Sequence, residues 1–153
     1  MRRRPLRSVA AAAAVRRRLL LGLGAAGATA AMLAGCGLNV QSADLFLLTR
    51  TGQGSKLTLL VNDSGTIRCN GAKAKMISDA LLIQARDLSD NLGTDASHNL
   101  YLKAVPGTVF SYRISLQQGV IRFSDRDTEH HPELSRAELF AAQAAQQACG
   151  LSG

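Results

Sequence analysis

Apolar and polar residues alternate along several short segments of this chain, which is the pattern of half-buried β-strands. In residues 109–116 an apolar or aromatic side chain stands at every second position, from Phe110 to Leu116, with serine or arginine between them. Gln117-Gln118-Gly119 follows as a turn, and residues 120–124 continue as a second strand. We therefore expect a hairpin with one apolar and one polar face.

Earlier segments predict further strands. Residues 44–51 and 56–61 are rich in Leu, Val and Thr and are separated by Gly52-Gln53-Gly54-Ser55, which indicates a hairpin. Residues 66–70 follow a second turn sequence and predict a third strand, which carries Cys69. Residues 100–105 predict another strand, bringing the total to about six.

The period changes to that of a helix in residues 75–92. Apolar residues recur there every three or four positions, from Ile77 to Leu92, and charged residues occupy the other faces. Gly93 then predicts the end of the helix.

A second helix is predicted near the end of the chain. Pro132 suits its first position, and Ser135 with Glu138 has the spacing of a capping box. The helix runs to about Cys149, and its many alanines permit close approach to a sheet.

These elements predict an α+β domain, a mainly antiparallel sheet of about six strands with two helices on one face. Their order is three strands and a helix, twice, and Gly65-Thr66-Ile67-Arg68 has an echo in Gly119-Val120-Ile121-Arg122. A βββα-βββα duplication would explain both features. It would also place Phe123 against Leu92, as the counterpart of a contact between Cys69 and Cys149.

Charge is distributed unevenly along the chain. The 18 Lys and Arg exceed the 11 Asp and Glu and give a net charge of +7. The whole excess lies in residues 1–18, which contain seven arginines and no acidic residue. Because the rest of the chain is balanced, its composition does not indicate nucleic-acid binding.

Residues 1–35 have the three parts of an export signal: an arginine-rich start, an uncharged stretch and small residues before a cysteine. Leu33-Ala34-Gly35-Cys36 resembles the lipobox of bacterial lipoproteins, and the abundance of Ala and Arg resembles actinobacterial sequences. The resemblance implies that Cys36 receives a diacylglyceryl group and that signal peptidase II cuts before it. Cys36 then becomes an N-terminus anchored in membrane lipid.

The expected organisation follows from that resemblance. Residues 1–35 are a signal peptide, residues 36–42 a lipidated N-terminus with a short tether, and residues 43–153 a single extracytoplasmic domain. The expected location is the outer face of the cell membrane, since the arginines stay on the cytoplasmic side.

Two alternatives for the N-terminal segment stay open. Residues 19–38 carry no charge and are long enough for an uncleaved transmembrane helix. The second alternative is cleavage by ordinary signal peptidase, in which case Cys36 is not lipidated. The export route is also open between the general secretory route and the twin-arginine route, because Arg16-Arg17-Arg18-Leu19-Leu20 resembles a twin-arginine signal.

If Cys36 is acylated, two cysteines remain in an oxidising compartment, and we expect Cys69 and Cys149 to form a disulfide. The bond would close a long loop and stabilise the domain by about 4–5 kcal/mol. Two free buried thiols are the alternative. No CxxC motif or Cys/His cluster at ligand spacing indicates a metal site.

The densest polar segment is Asp125-Arg126-Asp127-Thr128-Glu129-His130-His131. Its carboxylates and histidines are groups that bind divalent cations, but their spacing matches neither an EF-hand loop nor an HExxH helix. We interpret the segment as a solvated loop in which His131 caps the second helix. His98 lies in a similar loop.

No nucleophile motif such as G-x-S-x-G occurs, so we predict no catalytic residue, metal or cofactor. The leading hypothesis is a non-enzymatic envelope lipoprotein that binds an envelope protein or a small ligand near the membrane. Its predicted partners are the membrane lipid, through Cys36, and that protein or ligand, but no nucleic acid.

Two other functions are alternatives to this hypothesis. The strands over residues 44–51 and 56–61, leading to Cys69, resemble Streptomyces-type subtilisin inhibitors, which implies a protease inhibitor. Those inhibitors carry two disulfides, whereas this domain has cysteines for one. A small hydrolase is the other alternative, and a cleft that pairs His98 or His130 with a carboxylate would favour it.

Overall fold

The structure is a computed structural model that describes residues 43–151. The predicted signal peptide, the Cys36 lipidation site and the tether at 36–42 lie outside the described residues. The strands, in chain order, are β1 (Asp44–Gly52), β2 (Ser55–Asn62), β3 (Thr66–Cys69), β4 (Lys75–Met76), β5 (Phe110–Ser115) and β6 (Val120–Ser124). The helices are α1 (Asp79–Ser97) and α2 (Pro132–Gln147), with a short 3₁₀ helix at Asp127–Glu129.

All six strands belong to one sheet in the order β4-β3-β2-β1-β5-β6, and every neighbouring pair is antiparallel. The β1–β2 hairpin turns at Gln53 and Gly54, whose positive φ values of 50° and 70° match the twist of the flanking strands. The predicted α+β class with a six-stranded antiparallel sheet is therefore confirmed.

One face of the sheet and both helices share a single hydrophobic core. Alternate strand residues point into it, because successive side chains of a strand lie on opposite faces. The helices add an apolar stripe each and so lie on the same face of the sheet. The largest fully buried side chains of the core are Phe46, Leu48, Leu59, Val61, Ile67, Leu92, Ile114, Ile121, Leu134 and Phe140.

The alanines of α2 are buried in the core, where α2 packs mainly against α1. Ala137, Ala141 and Ala144 are all completely buried. The ring of Phe140 fills the space that they leave and meets Phe46 of β1 edge to face, with 5.5 Å between the ring centroids.

Helix α1 begins and ends later than predicted. It starts after Ser78, whose Oγ accepts a hydrogen bond from the Leu81 backbone at 3.3 Å, and the preceding Lys75–Met76 form strand β4. The helix passes through Gly93 and ends at Ser97. Glycine inside a helix costs about 1 kcal/mol, and burial of Ala96 in the next turn offsets that cost.

The strand predicted over residues 100–105 is reduced to one bridge. Arg122 bonds to this segment at both its backbone groups: its N–H donates to the carbonyl of Leu100, and its carbonyl accepts from Leu102, each at 2.9 Å. Tyr101 is consequently the parallel bridge partner of Arg122. The chain then leaves the sheet edge toward the Pro106-Gly107 turn.

The element order also departs from a βββα-βββα repeat. Four strands precede α1, and two strands lie between α1 and α2. The segment that would be the first strand of the second half adjoins β6, whereas β1, its counterpart, adjoins β2. Phe123 stacks on Tyr112, with ring centroids 4.9 Å apart.

The predicted capping box is wrong. Helix α2 begins at Pro132, so Ser135 already lies within the helix and its N–H donates to the carbonyl of His131. Glu138 accepts a hydrogen bond from Tyr112 instead.

The predicted disulfide is confirmed. Cys69 at the end of β3 is bonded to Cys149 just after α2, with 5.7 Å between their Cα atoms. Beside it, the ammonium of Lys75 donates to the carbonyl of Ala148 at 3.1 Å, a favourable place for a cation because helix carbonyls end there. Together they tie the C-terminal end of α2 to the β3–β4 edge of the sheet.

None of the helices in the part of the chain that the structure describes is long and apolar enough to span a bilayer. The transmembrane alternative concerned residues 19–38, which lie outside this part.

Candidate anion-binding surface

The face of the sheet opposite the helices carries the remaining half of each strand's side chains. On β1 and β2 these include Thr49, Thr51 and Lys56, and on β5 and β6 they include Arg113 and Arg122. This open face has a largely apolar row as well, in which Leu60, Leu47 and Val120 lie in register with Ser115 across four strands. The polar side chains lie farther from the start of β1.

Arg113 and Arg122 are directly opposite each other in the β5–β6 register. Both are exposed, and neither guanidinium makes a hydrogen bond or ion pair with a side chain of residues 43–151. Like charges in this position repel. An anion between them would remove the repulsion and accept their N–H groups in a bidentate manner.

The two arginines line a groove of about 440 Å³ in the open face. We call it the basic groove and define it by the residues that matter here: Thr49, Thr51, Lys56, Tyr101, Ser111, Arg113 and Arg122. One wall is the segment after α1, where Leu102 and Ala104 stand beside Tyr101. The β1–β5 register places Thr49 opposite Arg113 and Thr51 opposite Ser111, so hydroxyl groups lie next to the cations.

Charge in the described part is divided between the two layers. The strands contain one acidic residue, Asp44, whose carboxylate accepts from Asn62 at 3.1 Å at the far end of the sheet. The basic residues of the strands are Arg50, Lys56, Arg68, Lys75, Arg113 and Arg122. The helices carry two basic residues, Arg86 and Arg136. Their acidic residues are Asp79, Asp87, Asp90, Asp95, Asp127, Glu129, Glu133 and Glu138.

A domain without net charge therefore has a positive sheet layer and a negative helix layer. Arg50 belongs to the helix side of the sheet, where its guanidinium lies 4.8 Å from the centre of the Phe110 ring. Lys75 is also on that side, at the end of α2. The open face keeps Lys56, Arg68, Arg113 and Arg122.

Tyr112 lies on the core side of β5, between two groove residues. Its hydroxyl donates to a carboxylate oxygen of Glu138 on α2 at 3.2 Å. Burial, and after it the charge of Glu138, raise the pKa of the Tyr112 hydroxyl above its ordinary value. The group therefore stays protonated and ties the sheet to α2 under the groove.

In the acidic segment over residues 125–131, which was predicted as a solvated loop, two carboxylates accept hydrogen bonds from nearby residues. Asp127 accepts from the backbone N–H of Ser124 at 2.6 Å and from its hydroxyl at 2.8 Å. Asp125 accepts from the N–H of Val109. Within the described residues no group of three or more His, Cys, Asp or Glu side chains has a metal-binding arrangement.

His131 is at the N-cap of α2, as predicted, but its side chain makes no capping hydrogen bond. His131 occupies the N-cap position of α2 with its backbone carbonyl, while its ring lies 3.3 Å from the Glu133 carboxylate. His98 follows α1, and its Nδ1 is 2.9 Å from the carbonyl oxygen of Thr94. Among the described groups neither His98 nor His130 is paired with a carboxylate.

The sites predicted from the sequence and the basic groove are separate. Cys69 and Cys149 lie at the β3 side of the sheet, and Cys36 is outside the described residues. The groove residues themselves were not predicted as a site. The available signal was that Ser111, Arg113, Ser115 and Arg122 share one face of a predicted hairpin and that no acidic residue joins them there.

Comparison with known proteins adds no relative to this picture: no protein-family model, no curated protein and no solved structure matches the chain.

Proposed function

We propose that this protein is a lipid-anchored, non-enzymatic component of the bacterial envelope and that its basic groove binds an anionic ligand. The chemical class is a phosphate or carboxylate group, which two guanidinium groups recognise by parallel hydrogen bonds. Binding rather than catalysis suits the site, since it offers cations and hydroxyls without a paired base.

The observation that supports anion binding is the Arg113–Arg122 pair. Two arginines that face each other without a carboxylate partner destabilise the hairpin, and both line the groove. Thr49 and Lys56 supply further donors at its walls. An anion between the two arginines would stabilise the site, because it relieves the repulsion between their guanidinium groups.

The resemblance of Leu33-Ala34-Gly35-Cys36 to a lipobox supports the anchor. Two acyl chains hold a protein at a bilayer far more firmly than one. The tether at 36–42 reaches only about 25 Å when fully extended, so the domain would stay close to the membrane.

Anion binding is tested by titrating the mature, unlipidated chain (residues 36–153, Cys36→Ser) with inorganic phosphate and following backbone amide signals by NMR. The described part has its own core and disulfide, which supports folding without residues 1–35. We expect shifts concentrated at residues 111–113 and 120–122, and their loss in Arg113→Gln/Arg122→Gln. Arg86→Gln/Arg136→Gln removes the same charge from the helices and is the matched control.

A titration in which the shifts are absent, or in which both double variants respond equally, would contradict the anion site. The anchor is tested separately, by metabolic labelling of the full chain with an alkyne fatty acid. We expect label in the wild type and none in Cys36→Ala. Equal labelling of both would refute lipidation at Cys36.

A further inference from the structure

We infer that the basic groove faces the bilayer that carries the anchor and binds the phosphate groups of its anionic phospholipids. This inference rests on the proposed function and names its ligand. The open sheet face would lie along the membrane surface, and the helix layer would point away from it.

The division of charge between the layers sets this orientation. Lys56, Arg68, Arg113 and Arg122 lie on the open face, whereas the helix layer carries eight carboxylates and two arginines. A domain with this charge separation turns its sheet toward an anionic surface and its helices toward solution, although its net charge is zero.

The connection to Cys36 permits the same orientation. Seven residues lie between Cys36 and Asp44, so the two Cα atoms are at most about 28 Å apart. From Asp44 to Thr49 strand β1 advances about 17 Å toward the groove. A sheet lying along the membrane thus brings the groove to the bilayer without any need for a longer tether.

Exposed side chains suited to a membrane interface lie in the groove and next to its segments along the chain. Tyr101 is 63 % exposed, and Val105 and Val109, which follow and precede the groove segments along the chain, are 47 % and 43 % exposed. Tyrosine is enriched at the headgroup level, where its ring meets apolar chains and its hydroxyl meets water. Exposed apolar residues beside arginines are the combination that holds a peripheral protein to an anionic interface.

The shape of the groove also favours a membrane over a dilute free ligand. Its surface is open, and few donors converge in it, so a single soluble phosphate would bind weakly. An anchor converts this binding into an intramolecular event at an effective concentration in the millimolar range. A weak site is then sufficient, because phosphates cover the surface next to it.

The inference is tested by co-sedimentation of the unlipidated mature chain with vesicles of phosphatidylcholine, with or without about 40 % phosphatidylglycerol. The salt concentration is kept low, because salt screens the negative potential of the anionic vesicles. We expect binding to the anionic vesicles only. Arg113→Gln/Arg122→Gln should lower the partition coefficient about 30-fold, that is about five-fold for each arginine. Arg86→Gln/Arg136→Gln, with the same net charge, should keep wild-type binding.

Orientation is measured with a single tryptophan, since the chain contains none. In Tyr101→Trp the emission should shift to shorter wavelength on anionic vesicles and be quenched by brominated lipid. Leu139→Trp is the matched control, because Leu139 is 58 % exposed on α2 in the helix layer. Its emission should not change.

The outcomes separate this inference from the proposed function. Phosphate binding at Arg113 and Arg122 without binding to anionic vesicles would overturn the membrane inference and leave the anion site standing. Quenching at Leu139→Trp but not at Tyr101→Trp would also overturn it, since the helix layer would then face the bilayer. Failure to bind either phosphate or vesicles would refute both.

Discussion

Arg113 of β5 and Arg122 of β6 stand directly opposite each other on the open face of the sheet, and neither has a carboxylate partner among the described residues. Thr49 lies next to the first arginine and Tyr101 next to the second. A row of four side chains thus crosses three strands and the segment after α1, with the two cations at its centre.

The first prediction concerns the effect of the Arg113–Arg122 repulsion on the stability of the domain. Arg122→Gln removes the repulsion and should raise the free energy of unfolding by about 0.5 kcal/mol, measured by urea denaturation at low salt. Arg68→Gln, on the same face but opposite Leu60, should have a smaller effect. Phosphate should raise the melting temperature of the wild type more than that of Arg122→Gln, because a ligand stabilises only the state that binds it.

A rise in stability without any loss of the phosphate effect would mean that the pair does not bind the anion. A fall in stability on Arg122→Gln would mean that repulsion is outweighed by packing of the arginine side chain.

The second prediction concerns the disulfide. The Cys69–Cys149 bond closes a loop with a sequence separation of 80, and its removal should lower the free energy of unfolding by about 4 kcal/mol. The melting temperature of Cys69→Ala/Cys149→Ala should fall by about 15 °C. Dithiothreitol should lower the melting temperature of the wild type similarly and leave the double variant unchanged, and a shift in that variant would contradict the assignment.

The third prediction concerns Gly119, where the β5–β6 turn meets the end of α1. A Cβ at this position would overlap the carbonyl oxygen of Ala96 and lie 3.1 Å from Oδ1 of Asn99, which accepts from the Val120 N–H. Gly119→Ala should therefore destabilise the domain by about 2–4 kcal/mol, measured by urea denaturation.

Gly93→Ala is the informative control for that variant. A Cβ at Gly93 has no neighbour within 4 Å, and the residue lies inside α1. Alanine there should stabilise the domain by about 0.5–1 kcal/mol. Changes of the same sign in the two variants would contradict this view of the α1 boundary.

The fourth prediction is a pH dependence that arises from Tyr112. Burial and Glu138 raise its pKa in the folded state, whereas in the unfolded chain the hydroxyl ionises near its ordinary value of 10.0. Above pH 10 the unfolded state therefore releases a proton that the folded state keeps. Its contribution is intact below pH 10 and decreases as the pH rises, by about 1.4 kcal/mol per pH unit.

Tyr112→Phe should lose about 1 kcal/mol at pH 7 with the hydrogen bond to Glu138, but it should have a smaller alkaline slope between pH 10 and 11.5. Tyr101→Phe, at an exposed position, is the control and should retain the wild-type slope. Equal slopes for wild type and Tyr112→Phe, measured by chemical denaturation at each pH, would contradict the assignment.

Local patterns were sufficient for the hairpins and for the existence of both helices, because burial of one face imposes a period of two or 3.6 residues on the chain. They were insufficient at the ends of α1. The sequence contains a glycine at position 93, but whether the helix stops there depends on Ala96, which becomes buried only when the sheet is present.

The same division applies to the chemistry. Composition and the single pair of remaining cysteines led to the Cys69–Cys149 bond, which the structure confirms. The alternation of residues 109–116 placed Arg113 on a polar face, but it carried no information about the partner strands. Long-range pairing brings Thr49 beside Arg113 and Tyr101 beside Arg122, and it leaves the carboxylates on the other layer.

By itself, then, the sequence determined the two hairpins, the existence of both helices, the face of each that is buried, the disulfide partners and the resemblance of Cys36 to a lipidation site. Only the tertiary structure decided that the sheet's open face is basic and concave. The reason is that periodicity is imposed by the nearest neighbours along the chain, whereas strand order minimises exposed apolar surface over the whole domain at once. Which polar side chains meet on the remaining face is a consequence of that order.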